Sequence, residues 1–289
     1  MRAFVTGATG TVGREVCRAL LRRGVDVRVG ARPASDVAAV LPDVNDIVPF
    51  DFSDLGWPSL FEDIDALFFM TPLIEDQVPV SLRVLEAATK AGVPHVVRLS
   101  SRSAGWDQHS KLRAWHRTID QAVHDSSMTS VVLRPCSFFQ NFINYQRETI
   151  QQMSSIILPQ GDGLVSYIDA LDIGEAAAAC LIDPGPHDGR TYVLTGGRAY
   201  GAKGVAAEIG RVIGKPITYV DVDEAQARDL MLQMGNPPWL VEAGLAVFAH
   251  TRAGGEAEVD PTLTGLIGRP ASALSEFVER NRDAWRPAS

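Results

Sequence analysis

The sequence predicts an α/β fold, a doubly wound parallel sheet with a smaller C-terminal α/β region packed over it. Three observations predict it. Short apolar runs alternate with segments of helical period through the first half of the chain. The runs are apolar almost throughout, as strands covered on both faces should be. A glycine-rich turn follows the first run and opens the first helix. Such strand–helix–strand repetition implies parallel strands joined by right-handed crossovers.

In order, the strand runs are MRAFVTG, VDVRVGAR, DIVPFDF, DALFFMTP, HVVRLSS and TSVVLRP. VGREVCRALLRRG, SLRVLEAATKAG and LRAWHRTIDQAVHDS lie between them with helical patterns. In the first of these, Val12, Val16, Ala19 and Leu20 make an apolar stripe. Its Arg-Arg-Gly ending supplies positive charge and a stop at the C-terminal turn. After about residue 150 the rhythm loosens, and IILPQGDGLVSYID is punctuated by glycine and proline. LDIGEAAAACLID then reads as a helix, GRTYVLTG as a strand, GVAAEIGRVIGK as a helix and PITYVDV as a strand. DEAQARDLMLQMG is amphipathic, with Ala227, Leu230, Met231 and Met234 at helical spacing, and the prolines of NPPWLVEAGLAVFAHTRAGG open a further helix. No repeat or linker interrupts the chain. The expected division is residues 1–153 for a dinucleotide-binding domain and 154–289 for a substrate-covering region interleaved with it.

At 289 residues with 21% charged side chains, the chain has the composition of an ordinary globular protein. Its net charge of -8 argues against nucleic acid or anionic lipid as a partner. The apolar segments are too short to span a bilayer. MRAFVTGATG lacks the apolar stretch of an export signal, and Cys17, Cys136 and Cys180 are odd in number and scattered. The expectation is a cytoplasmic protein without a metal site, its cysteines buried and inert. His109, His124, His187 and His250 show no metal-like spacing, and no Gly-x-Ser-x-Gly elbow marks a hydrolase.

Gly7-Ala8-Thr9-Gly10-Thr11-Val12-Gly13 stands between the first strand and the first helix. Glycines let the backbone turn sharply and approach a pyrophosphate, while the helix N-terminus presents unpaired N–H groups to it. The expected ligand is a dinucleotide held by Gly7, Thr9, Gly10, Thr11 and Val12 in a Rossmann-like fold. An NAD site usually closes its second strand with a carboxylate; here Arg32 stands at that tip, with Ser35 behind it. A guanidinium there suits a 2′-phosphate, so NADP (as NADPH) is expected, with NAD the alternative. Asp51 either receives the adenine amino group, with Phe52 over the ring, or caps a turn before Leu55. Met70, Thr71 and Pro72 end the fourth strand at the sheet's switch point, and Ser100 and Ser101 end the fifth on the same edge.

These motifs resemble the NmrA-like group of atypical short-chain dehydrogenases/reductases, in particular its quinone- and azo-reductase-like members and those similar to ergot-type imine reductases. The resemblance runs through the phosphate turn, VVRLSS, His116 with Asp120 (the family's His-x-x-x-Glu with Asp in place of Glu) and Leu133-Arg134-Pro135 with Phe138, Phe139 and Asn141. It continues through Asp169 to Asp172, GRTYVLTG and the closing GRP…EFVERNRDAW. It implies that the loop after Arg134-Pro135 and the C-terminal region cover the nicotinamide, with Pro135 among the cofactor contacts. Some members of the group bind NADP and regulate other proteins without catalysis, so a cofactor-sensing regulator is an alternative. Another is a cofactor-bound oxygenase or isomerase acting on aromatic polyketides.

The chain lacks the Tyr-x-x-x-Lys that protonates an alkoxide in typical short-chain dehydrogenases; Lys111, Trp115 and His116 stand there instead. A simple ketone reduced without a positioned acid would lose roughly 10²–10⁴ in rate. Quinones, iminium ions and activated double bonds need less help, because their products spread or neutralise charge. The expected partner is therefore a small planar apolar substrate, in a natural-product tailoring role that suits the resemblance, with a homodimer left open. Trp106, Phe138, Phe139, Asn141, Met231 and Trp239, with Met234 and Phe248, are the candidate substrate contacts. His116 is the candidate proton donor or orienter, because its intrinsic pKa permits either role, and Tyr145 is the second catalytic candidate.

Overall fold

The computed structural model describes residues 1–53, 58–106 and 110–286. His109 and Leu55 lie outside the described residues. In chain order the elements begin with β1 (Arg2–Thr6), α1 (Gly13–Arg22), β2 (Asp26–Ala31), α2 (Val37–Val40), β3 (Asp46–Pro49), β4 (Ala66–Phe69) and α3 (Gln77–Lys90). They continue with β5 (His95–Leu99), α4 (Lys111–His124), β6 (Thr129–Pro135), α5 (Gln140–Met153), β7 (Ser155–Leu158), β8 (Leu164–Val165) and α6 (Ala170–Ile182). The rest comprises β9 (Arg190–Leu194), β10 (Tyr200–Gly201), α7 (Ala202–Ile213), β11 (Thr218–Asp221), α8 (Glu224–Gln233), α9 (Pro238–Arg252), α10 (Thr262–Ile267) and α11 (Leu274–Arg280).

Seven strands form one sheet in the order β3-β2-β1-β4-β5-β6-β9, and every pairing is parallel. The doubly wound α/β fold expected from the alternation is therefore the fold observed. Because side chains alternate along a strand, each strand feeds two cores. Ala3, Val5, Phe68, Val97, Val131 and Leu133 meet α1 and α6 on one face. Phe4, Leu67, Phe69, Val96 and Val132 meet α3 and α4 on the other. The strand order reverses between β1 and β4, which places the ligand crevice of such a sheet at their C-terminal ends.

The chain beyond β6 does two things. With α6 and β9 it returns to the sheet, β9 covering the outer edge of β6 from Val131↔Arg190 to Pro135↔Leu194. With the rest it builds a smaller body, in which β7 pairs β11 in parallel and α7, α11 and Trp285 enclose Phe139, Phe142 and Tyr167. Two carboxylates at the start of α6 tie the C-terminal segment down. Asp172 accepts from the Arg269 guanidinium (2.6 Å) and from Ser272 N (2.7 Å), and Asp169 accepts from Arg280. The α8 stripe differs from its expected form: Ala227 is buried in a small cluster with Val241 and Leu245 of α9, but Leu230 and Met234 are exposed. Among the described residues no helix is long and apolar enough to cross a membrane.

Candidate active site

The glycine turn has the tight strand-to-helix geometry that its spacing predicts. Gly7 has φ of 64° in the left-handed region, and a Cβ there would lie 2.8 Å from the Met70 sulfur. A Cβ on Gly13 would sit 2.2 Å from the Gly7 carbonyl, so only glycine lets α1 start this close to β1. Gly10 N–H closes the turn onto Gly7 O at 2.9 Å. Among the described residues no backbone bond takes up the Thr11 or Val12 N–H groups, and no side chain caps α1. The start of the helix is thus open to an anion, with Thr9 and Thr11 half-buried beside it. Asn144 of α5 reaches Thr11 Oγ1 at 3.3 Å, bridging the turn from the far side.

Along the rim, Arg32 is exposed at the end of β2 and makes no ion pair with the described residues. Asp51 Oδ1 accepts from Ser53 N (2.9 Å) and Ser53 Oγ (2.7 Å), bonds that hold its carboxyl below the usual range. Through these bonds Asp51 caps the turn at Ser53. Phe52 is half-buried, edge-on to Phe50 at 4.8 Å. Met70 is fixed at the switch point by Thr6, whose Oγ1 accepts from Met70 N (2.9 Å) and donates to Met70 O (2.8 Å). Thr71 is buried and hydrogen-bonds Gln77 and Ser81 of α3, while Pro72 is exposed.

Next to the switch point, at the C-terminal ends of β5 and β6, lies a cavity of about 160 Å³, close to the space that holds one benzene ring. Ser100 and Ser101 line it from β5, and Pro135, Cys136 and Phe138 from β6. Asn141 of α5 and Trp106 form further walls, and Val247 of α9 and Glu256 come from the C-terminal region. Trp106 is held rigidly, stacked on His250 at 3.8 Å with the Arg113 guanidinium 4.6 Å from its ring centre. Cys136 donates to Ser166 O at 2.6 Å, and burial pushes its thiol up to about 12, which leaves it inert at neutral pH. Arg102 donates to Ser166 Oγ (3.1 Å) and Glu258 O (3.2 Å). Glu256 is 2% exposed, and its carboxyl makes no hydrogen bond with the described residues. Burial pushes that carboxyl up to about 7.

Behind Ser100, His116 and Asp120 share one face of α4. Asp120 accepts from Arg98 Nε (2.8 Å), Arg134 Nε (2.9 Å) and Ser100 Oγ (2.9 Å). Arg98 is fully buried and also donates to His116 Nδ1 at 3.2 Å. Burial, and then the Arg98 charge, push His116 down to about 4. The imidazole is neutral near pH 7, with Nδ1 committed as acceptor and the proton on Nε2. It can orient or donate a hydrogen bond but holds no proton ready for release. It does not line the cavity.

The other candidates are dispersed. Tyr145 is 59% exposed on α5. Phe139 turns away from its neighbour Phe138 and stacks on Phe277 at 5.3 Å in the C-terminal core. Met231 packs between α8 and α9. Trp239 meets Trp115 edge-on at 5.2 Å, docking α9 onto α4, and Phe248 is half-buried outside the cavity lining. Arg102 and Glu256 line the cavity with no motif of their own. The only sequence hint is an acidic residue directly after Gly254-Gly255, where the covering helix has ended.

The profile of the NmrA-like family matches residues 2–262. The chain belongs to the NmrA-like family. Among similar proteins, the NAD(P)H azoreductase of Xenophilus azovorans is 31% identical over 286 residues, 99% of each chain. The (4-alkanoyl-5-oxo-2,5-dihydrofuran-3-yl)methyl phosphate reductase of Streptomyces griseus is also 31% identical, over 98% of this chain and 99% of its own. The solved structure of an NADPH-dependent quinone oxidoreductase of Escherichia coli, complexed with NADPH, superposes with a TM-score of 0.83 at 25% identity. That match covers 97% of this chain and 99% of the other. The resemblance read from the motifs is thus the family found.

Proposed function

We propose that this chain is an NADPH-dependent oxidoreductase that reduces a small, flat, neutral, conjugated acceptor such as a quinone, azo compound or enone-like lactone. The observation that carries this is that α5 joins the open helix start to a ring-sized, aromatic-walled cavity, with Asn141 lining the cavity and Asn144 reaching Thr11. The similar proteins support this reading: one is an NAD(P)H azoreductase, one reduces a dihydrofuranyl methyl phosphate, and one is an NADPH-dependent quinone oxidoreductase.

The residues present fit the cofactor. Gly7, Gly10 and the free N–H groups of Thr11 and Val12 would hold the pyrophosphate. Arg32, exposed and without an ion pair among the described residues, would meet the 2′-phosphate. When bound, NADPH supplies a hydride. The protein then has to orient the acceptor, exclude water and manage the proton. Trp106 and Phe138 provide flat apolar walls, and Ser100, Ser101 and Asn141 provide polar groups that fix the ring's orientation. Most of the rate is expected to come from that placement.

The test is direct. Mixing the protein with NADPH and a panel of quinones, azo dyes and unsaturated lactones should bleach the reduced nicotinamide band with at least one of them. Binding of NADPH without oxidation by any acceptor would defeat the reading.

A further inference from the structure

The missing tyrosine leaves open where the proton comes from when a neutral acceptor is reduced. His116 is neutral and tied to Arg98, and Tyr145 is exposed on α5 and is not among the residues that line the cavity. One group in the cavity is different. We propose that the Glu256 carboxyl donates the proton that accompanies hydride transfer to a neutral acceptor bound in the cleft, a role that rests on the reductase reading above.

Glu256 is 2% exposed and lines the cavity, its Oε1 is sealed from water, and neither carboxyl oxygen has a hydrogen-bond partner among the described residues. A buried carboxyl without partners is costly, so folds retain one where it performs chemistry. Its backbone, by contrast, is held firmly: Ser166 N (2.9 Å) and Ser166 Oγ (3.1 Å) both donate to Glu256 O. Arg102 in turn donates to Ser166 Oγ, so the turn after β5, the approach to α6 and the loop after α9 fix the position of this carboxyl. The group is placed by others while its own oxygens stay available.

Burial, against the charged groups around it, favours a proton on Glu256 near neutrality. Burial raises the carboxyl to about 7, against the opposing pull of Arg102 beyond β5 and Arg113 on α4. Cys136 at the end of β6 and Tyr167 before α6 are both pushed upward by burial and stay protonated. His250 on α9 is pushed down by burial and by Arg113, and stays neutral. Among these neighbours Glu256 alone changes protonation around pH 7.

The step balances. A quinone gains a hydride, with two electrons, from the reduced nicotinamide, whose C4–H bond breaks as the cofactor becomes NADP⁺. The negative oxygen created on the quinone takes the Glu256 proton as the carboxyl O–H bond breaks, giving the hydroquinone. Solvent then reprotonates the carboxylate. An iminium acceptor becomes a neutral amine on hydride addition and needs no such proton.

The experiment compares wild type, Glu256→Gln and Glu256→Asp in single turnovers with a naphthoquinone and with a preformed iminium, across pH, with NADPH affinity followed by fluorescence. In wild type the quinone rate should fall above about pH 7. Glu256→Gln should lower that rate by roughly 10²–10⁴-fold and remove the alkaline limb, with NADPH affinity retained. The preference for quinone over iminium should drop by a similar factor. Glu256→Asp keeps an acid set back by one methylene and should keep the limb at a reduced rate. Infrared spectra of the protein alone should show a protonated-carboxyl band at pH 6 that vanishes through about pH 7 and is missing from Glu256→Gln. A quinone rate and pH limb unchanged in Glu256→Gln, or a carboxylate already ionised at pH 6, overturns the proton donor and leaves the reductase reading standing. If no acceptor oxidises NADPH in wild type or variant, both fall together.

Discussion

Two buried carboxyls lie on either side of the same cavity wall, and they are furnished in opposite ways. Asp120 accepts from Arg98, Arg134 and Ser100 and binds the ends of β5 and β6 to α4. Glu256 is as deeply buried and accepts nothing through its side chain from the described residues. The saturated group behaves as structure, because any change of its charge strands two guanidiniums. The unsaturated group behaves as chemistry, because its proton can leave without breaking a bond in the protein. The same division runs through the site: the floor below β5 and β6 is well partnered, while the open groups gather at the cradle, at Arg32 and at Glu256.

The contrast can be broken most sharply at Asp120. Asp120→Ala leaves Arg98 buried without its carboxylate and should cost about 3–5 kcal/mol in urea unfolding. A loss under 1 kcal/mol would show that the network is not structural. Next comes the pH dependence of stability at Glu256. Its folded carboxyl holds a proton more tightly than the unfolded chain does, with values of about 7 and 4.5. Its contribution is therefore complete below about pH 4.5 and lost as pH rises through about 7. Relative to Glu256→Gln, the wild type should lose on the order of 3 kcal/mol across that window. Parallel stability curves would mean the carboxyl has hidden partners.

A smaller effect is expected at the rim. Arg32→Ala should weaken NADPH by roughly ten- to a hundredfold while leaving NADH nearly unchanged, as loss of a charge-assisted contact of about 1.5–3 kcal/mol predicts. Equal losses for both cofactors would remove Arg32 from the 2′-phosphate site. The smallest change is at His116, whose proton affinity is depressed by burial and Arg98. Its stabilising contribution is present above about pH 6.5 and lost only as pH falls toward about 4. Nitrogen NMR should find a bare Nδ1 and no titration between about pH 5 and 8.

How far the sequence could lead depended on how local each feature is. The six strands up to β6, and β9 after them, were legible because burial on both faces writes an apolar run within a few residues. The cradle was legible because Gly7, Gly10 and Gly13 carry its geometry in their spacing. Partnership across the chain was not: nothing in PITYVDV says that β11 pairs with β7, since the register Thr218↔Ser155 joins distant segments. Phe138 and Phe139 look alike in sequence, yet the first lines the cavity and the second stacks on Phe277, which only the start of α5 decides. Glu256 was invisible for the same reason. Its burial and fixed backbone come from Ser166, 90 residues away, and from the turn at Arg102.

The return of the chain to place β9 against β6 sets an order of events during synthesis. Until Arg190–Leu194 have left the ribosome, the strand Thr129–Pro135 presents an open row of backbone donors and acceptors to whatever is near. A nascent chain halted between these two segments would carry a sticky edge that another copy could zip onto.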